Sequence, residues 1–163
     1  MLKYYRKWFR VFFPHTITNP ETTETTFELS NEETGLNFNV HIWKPNRLVG
    51  KKLAGVIMFH GGGWMFGDIP MHRTLYSNMA EQLGVVVIAP EYTLSPSDVL
   101  MASYKDCIIT TEYVLSNSDK LGIKRDNIVL SGDSAGGQLT IAVGMYLGDN
   151  NIDIKGRLQT RPD

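Results

Sequence analysis

The chain has 163 residues, a length that suits a single domain. With 42% hydrophobic and 20% charged residues the composition is globular, which excludes a disordered or fibrous chain. A net charge of -1 gives no reason to expect a nucleic-acid partner, the single cysteine excludes an internal disulfide, and no His/Cys spacing offers a metal site.

Met1 to Phe13 reads as an amphipathic helix, with Lys3, Arg6, Lys7 and Arg10 on one face and Leu2, Tyr5, Trp8, Phe9 and Phe12 on the other. Its longest unbroken apolar run, Val11-Phe12-Phe13, is far too short to span a bilayer, and it lacks the apolar core of a signal peptide. A basic, aromatic-rich helix of this kind fits a membrane interface, so residues 1–13 are one expected place of peripheral membrane contact. Cytoplasmic and endoplasmic-reticulum-membrane-associated locations both stay open. Thr16 to Thr26 is rich in Thr around Asn19-Pro20 and reads as an extended linker. The expected organisation is therefore a segment and linker over 1–25 and a folded domain over 26–163.

Thr26 to Ser30 and Leu36 to Lys44 predict two strands joined through Asn31 to Gly35. In the second, Leu36, Phe38, Val40 and Ile42 alternate with Asn37, Asn39, His41 and Trp43, which predicts a surface position for His41. Leu53 to Phe59 is a continuous apolar run, as in a strand covered on both faces. Pro70 through Leu83 predicts a helix stopped by Gly84, with His72 on its solvated face, and Val85 to Ala89 the next buried strand. Asp98 to Ser116 predicts a long helix with Asp98 as N-cap and Cys107, beside Ile108 and Ile109, as a buried structural thiol. Asn127 to Ser131 predicts a strand, and Ala135 to Leu147 the helix after it. Strands alternating with helices mean an α/β fold: a doubly wound, mostly parallel sheet with its site at the strand C-termini.

Between the last strand and helix stands Gly132-Asp133-Ser134-Ala135-Gly136, a G-x-S-x-G element in a strand–turn–helix context. A serine there is raised on a sharp turn above the sheet, and side chains at the two glycines would collide with neighbouring backbone. His60-Gly61-Gly62-Gly63-Trp64 closes the Leu53 to Phe59 strand. Three glycines expose backbone N–H donors of the kind an esterase aims at a tetrahedral oxyanion. The two motifs together predict Ser134 as nucleophile and Gly62, Gly63 and Ala135 as oxyanion hole, with His60, Gly61, Gly132, Asp133 and Gly136 in support.

With Phe66-Gly67-Asp68, Glu91-Tyr92-Thr93-Leu94-Ser95-Pro96, Asp106 and Ile128 to Gly137 added, the chain resembles the hormone-sensitive-lipase group of α/β-hydrolases. Within it the arylacetamide-deacetylase-like esterases are the most similar. The similarity runs from about Leu36 to the end. It implies a serine hydrolase acting on small carboxylic esters, in some members on arylamides, without a cofactor. It also implies a second reading of residues 1–13, as a lid over the mouth of the site. The family usually has Tyr-Arg-Leu-Ala-Pro-Glu where this chain has Tyr92-Thr93-Leu94-Ser95-Pro96-Ser97, so the charged pair is absent here.

α/β-Hydrolases order their triad Ser, acid, His along the chain, and no histidine follows Ser134. Of His15, His41, His60 and His72, none is expected to reach the serine as base; His60 is expected to orient backbone. The sequence therefore reads as the N-terminal part of a hydrolase domain, cut after the nucleophile helix, with acid and base outside it. Cutting there is expected to leave the strand at Asn127 to Ser131 without its next neighbour. A catalytically silent small-molecule binding module is the alternative, since a plant gibberellin receptor resembles the same group.

Overall fold

A computed structural model describes residues 17–95 and 100–160. The N-terminal amphipathic segment, Pro96, Ser97 and the expected Asp98 cap lie outside the described residues. Strand β1, Thr22–Asn31, begins within the stretch that reads as linker, and β2, Leu36–Pro45, pairs with it antiparallel along its whole length. Leu53–Phe59 forms β3, Ile69–Leu83 α1, Val86–Pro90 β4, Leu100–Ser116 α2, Ile123–Asp133 β5, Ala135–Asp149 α3 and Gly156–Thr160 β6. Helix α1 starts where the Asp68 carboxylate accepts the Met71 N–H at 3.0 Å, and ends at Gly84, whose φ of 65° is the left-handed cap.

The six strands stand in the order β1-β2-β4-β3-β5-β6. The β3–β4, β3–β5 and β5–β6 pairs are parallel, while β1 and β2 form an antiparallel edge. Strand β6 corrects one expectation: β5 has a neighbour on its outer side, with Val129 opposite Gly156 and Asp133 opposite Thr160.

Successive strand side chains point to opposite faces, so a sheet covered on both sides builds two cores. Phe38, Val40, Ile42, Ile57, Phe59, Val86 and Ile88 pack on one face with Cys107 and Val114 of α2 and Leu139, Val143 and Leu147 of α3. Trp43, Met58, Val87 and Ala89 face the other way, onto Ile69, Tyr76 and Ala80 of α1. Cys107 is fully buried, and burial pushes its thiol well above the ordinary range, as fits a structural residue.

Candidate active site

Strands β3 and β5 are in register with Phe59 opposite Gly132, so the loop opening at His60 and the turn at Ser134 leave the sheet side by side. The turn is tight because α3 starts against β3. A Cβ on Gly136 would overlap the Phe59 carbonyl oxygen, and one on Gly132 would overlap the Gly136 carbonyl. Ser134 is exposed and sits at φ 50°, ψ -118°, a conformation that costs a non-glycine residue about 1–3 kcal/mol. The pinned strand and helix on either side hold it there.

One hydrogen bond ties the loop to the turn: Asp133 Oδ1 accepts the Gly61 N–H at 3.0 Å. A Cβ on Gly61 would overlap the same carboxylate and crowd the Asp133 carbonyl oxygen, so glycine leaves this hydrogen bond undisturbed. The loop then passes through Gly62 (φ 126°), Gly63 (φ 60°) and Trp64 (φ 59°). The Gly62 carbonyl accepts from Phe66 at 2.9 Å and Met65 at 3.2 Å, closing a tight turn. Asp133 occupies the Gly61 donor. The Gly62 and Gly63 N–H groups have no partner among the described residues. Ala135 opens α3, where an N–H has no acceptor inside the helix.

His60 is buried, and its Nδ1 lies 2.8 Å from the Gly61 carbonyl, which can only accept. Burial lowers its pKa to about 4, so the ring is neutral near pH 7 and a weak base. Tyr92 stacks on it at 4.3 Å and donates its hydroxyl to the His60 carbonyl at 2.6 Å. Buried Asp106 fixes the Tyr92-Thr93 segment: Oδ2 accepts the Thr93 N–H at 2.8 Å and Oδ1 accepts Asn31 Nδ2 at 2.6 Å. Asn31 as an anchor is absent from the sequence reading, because its partner lies 75 residues away and no local pattern marks it.

Two histidine expectations are corrected. His72 is half-buried rather than solvated: its ring stacks between His60 at 5.4 Å and Tyr76 at 5.5 Å, and Nδ1 lies 3.0 Å from the Asp68 carbonyl. His41 is only 8% exposed, because α1 covers the face that period-two reading leaves to solvent. Its Nδ1 meets Glu24 at 3.0 Å and Nε2 meets Glu91 at 3.1 Å, while Arg73 pairs with Glu24 at 3.0 Å. His15 lies outside the described residues. None of the described residues makes a hydrogen bond to the Ser134 hydroxyl.

The His41 cluster makes stability depend on pH. Burial opposes the charge on His41, but hydrogen bonds to Glu91 and Glu24 outweigh it and raise the pKa above 6.5. A raised histidine stabilises fully below the unfolded pKa and loses that contribution as pH rises through the folded one. Glu24 is desolvated by burial, yet Thr18, His41 and Arg73 lower its pKa; Glu91 is lowered chiefly by His41. Their contributions are lost in the opposite direction, as pH falls. Buried His60, with its pKa lowered to about 4, acts the other way and gains stability as pH rises past the unfolded value, so the His41 contribution is read as a difference between two proteins. From pH 6 to pH 9 the melting temperature of the complete protein is expected to fall relative to that of His41→Gln; parallel pH profiles in both would remove His41 as a source of pH dependence.

The alpha/beta hydrolase fold family matches residues 56–162. Arylacetamide deacetylase from Bos taurus is 32% identical over 154 residues, covering 91% of this chain and 37% of that protein. Lipase 2 from Moraxella sp. (strain TA144) is 37% identical over 90 residues, covering 55% of this chain and 21% of the relative. Among solved structures, carboxyl esterase 2 from the mycorrhizal fungus Tuber melanosporum superposes with a TM-score of 0.77 at 30% identity, over 86% of this chain and 46% of that one. A bacterial heroin esterase superposes with a TM-score of 0.89 at 18% identity, over 97% of this chain and 51% of its own, a likeness of fold alone. The chain thus spans between a fifth and about a half of the proteins it matches. Matched over more than half its length, with the HGGGW loop and GDSAG turn side by side at the strand ends, the chain belongs to the alpha/beta hydrolase fold family, in its hormone-sensitive-lipase-like branch.

Proposed function

We propose that the complete protein is a serine carboxylesterase acting on small ester substrates, with arylamides as a second class. One observation carries this reading: the Gly61–Asp133 hydrogen bond joins the Gly62 and Gly63 donors to the turn that raises Ser134. In the reaction, the Ser134 hydroxyl adds to the substrate carbonyl carbon and its proton passes to a histidine base. The base and its orienting acid come from outside these 163 residues. The oxyanion formed takes hydrogen bonds from Gly62, Gly63 and Ala135. Collapse expels the alcohol or amine, which recovers the proton, and water then hydrolyses the Ser134 acyl ester by the same route. No step requires a cofactor or a metal.

Gly62→Pro tests the donor role, since proline deletes the N–H and also strains a residue held at φ 126°. Hydrolysis of a short-chain aryl ester by the complete protein is expected to fall on the order of 10²–10³ in kcat. Unchanged kcat would remove this loop from the oxyanion hole. A silent binding module is favoured by a different observation: each described histidine is engaged away from the Ser134 hydroxyl. A complete protein that binds an aryl ester without turning it over would support that second reading.

A further inference from the structure

At the end of the sheet opposite Ser134 lies a groove of about 350 Å³. The antiparallel pairing brings the end of β2 beside the starts of β3, β4 and β5, about 20 Å from the site along a seven-residue strand. Lys44, Lys51, Lys52 and Lys120 line it, a quarter of the chain's 16 Lys and Arg, on a protein of net charge -1. One carboxylate answers them: Asp119, held 2.7 Å from Lys52. Lys44, Lys51 and Lys120 have no carboxylate partner among the described residues. Apolar side chains stand on the same rim. Val49 is 81% exposed at the tip of the β2–β3 loop, directly before Gly50-Lys51-Lys52. Leu83, 66% exposed, ends α1 directly before Gly84, whose Cβ position lies 3.2 Å from Leu48 of the groove lining.

From this we propose that the groove and its rim form a docking surface for an anionic lipid bilayer. The charge complements lipid phosphate and carboxylate groups, each lysine near such a surface contributing about 1 kcal/mol. Val49, 81% exposed two residues before Lys51, brings an apolar side chain to the headgroup layer while the ammonium groups stay at the phosphate level. Soluble polyanions would satisfy the lysines but leave Val49 and Leu83 in water, which is why the bilayer is the better fit. Docked this way, the protein turns Ser134 and the oxyanion loop away from the lipid, toward substrate arriving through water.

Sedimentation of the complete protein with vesicles tests this. Binding is expected to phosphatidylcholine vesicles containing about a third phosphatidylserine, to weaken with salt, and to be much poorer with phosphatidylcholine alone. Lys51 and Lys120 are exposed and without an ion-pair partner among the described residues, so Lys51→Glu with Lys120→Glu is expected to leave thermal unfolding unchanged. Affinity for the anionic vesicles should drop about 30-fold or more. Lys51→Ser with Lys120→Ser serves as a gentler second variant, and Val49→Asp should also weaken binding. Equal binding to both vesicle types overturns the proposal. So does binding that the lysine variants leave intact but that is lost on replacing Lys3, Arg6, Lys7 and Arg10 with Ser, which would place the contact in the N-terminal segment. Tight binding of inorganic pyrophosphate without vesicle binding would make the groove a site for a soluble anion instead.

Discussion

Gly136→Val is expected to unfold the protein or to lower its melting temperature sharply. The first turn of α3 lies against β3 so closely that a single added carbon at position 136 overlaps the Phe59 carbonyl oxygen and crowds that of His60. Both atoms belong to backbone, one of them held in the parallel ladder with β5, so no side-chain rotation relieves the clash. Either α3 withdraws, opening the core that Leu139, Val143 and Leu147 fill, or the strand shifts. Changes of this kind cost about 4 kcal/mol or more, which for a domain of this size lowers the melting temperature by about 10 °C. Gly156→Ala is the control: nothing lies within 4 Å of a Cβ there, and its melting temperature should match that of the unmodified protein. Equal melting temperatures for Gly136→Val and Gly156→Ala would show that α3 does not press on β3.

The same close approach explains why this part of the site is legible in sequence. Glycines forced by backbone contact leave a local mark, and Gly61, Gly132 and Gly136 each face an atom that a Cβ would overlap. Strand β3 is also legible, since cover on both faces makes it apolar at every position from Leu53 to Phe59. Long-range cover is less legible. His41 and Trp43 sit on the face that alternation assigns to solvent, and only the docking of α1 buries them. His72 joins a stack of rings for the same reason.

Strand starts were hidden by polar residues that give no apolar pattern. Lys124, Arg125 and Asp126 are exposed and fall in the irregularity between the Leu53–Ile123 and Gly55–Ile128 pairs, yet they lie within β5. The Thr-rich start of β1 reads as a linker because of Asn19-Pro20. It becomes a strand by pairing from Thr22 opposite Pro45 onward, in keeping with the strand preference of threonine. Asp106 shows the opposite limit. Its resemblance value is visible, but its job of holding Thr93 and Asn31 together emerges only from the fold.

Ser134→Ala in the complete protein tests the central claim most directly. If Ser134 carries the acyl group, the substitution removes the attacking oxygen and with it the covalent route. What remains is the oxyanion hole and binding, which elsewhere leave only a small residue of catalysis over water. The fold should survive, because the Ser134 hydroxyl makes no hydrogen bond within the described residues, although alanine inherits the backbone strain at φ 50°. Hydrolysis of a short-chain aryl ester is expected to fall by several orders of magnitude in kcat, with KM nearly unchanged and thermal unfolding close to that of the unmodified protein. Turnover retained within about tenfold by a folded Ser134→Ala protein would contradict the assignment, since losing a triad serine costs far more.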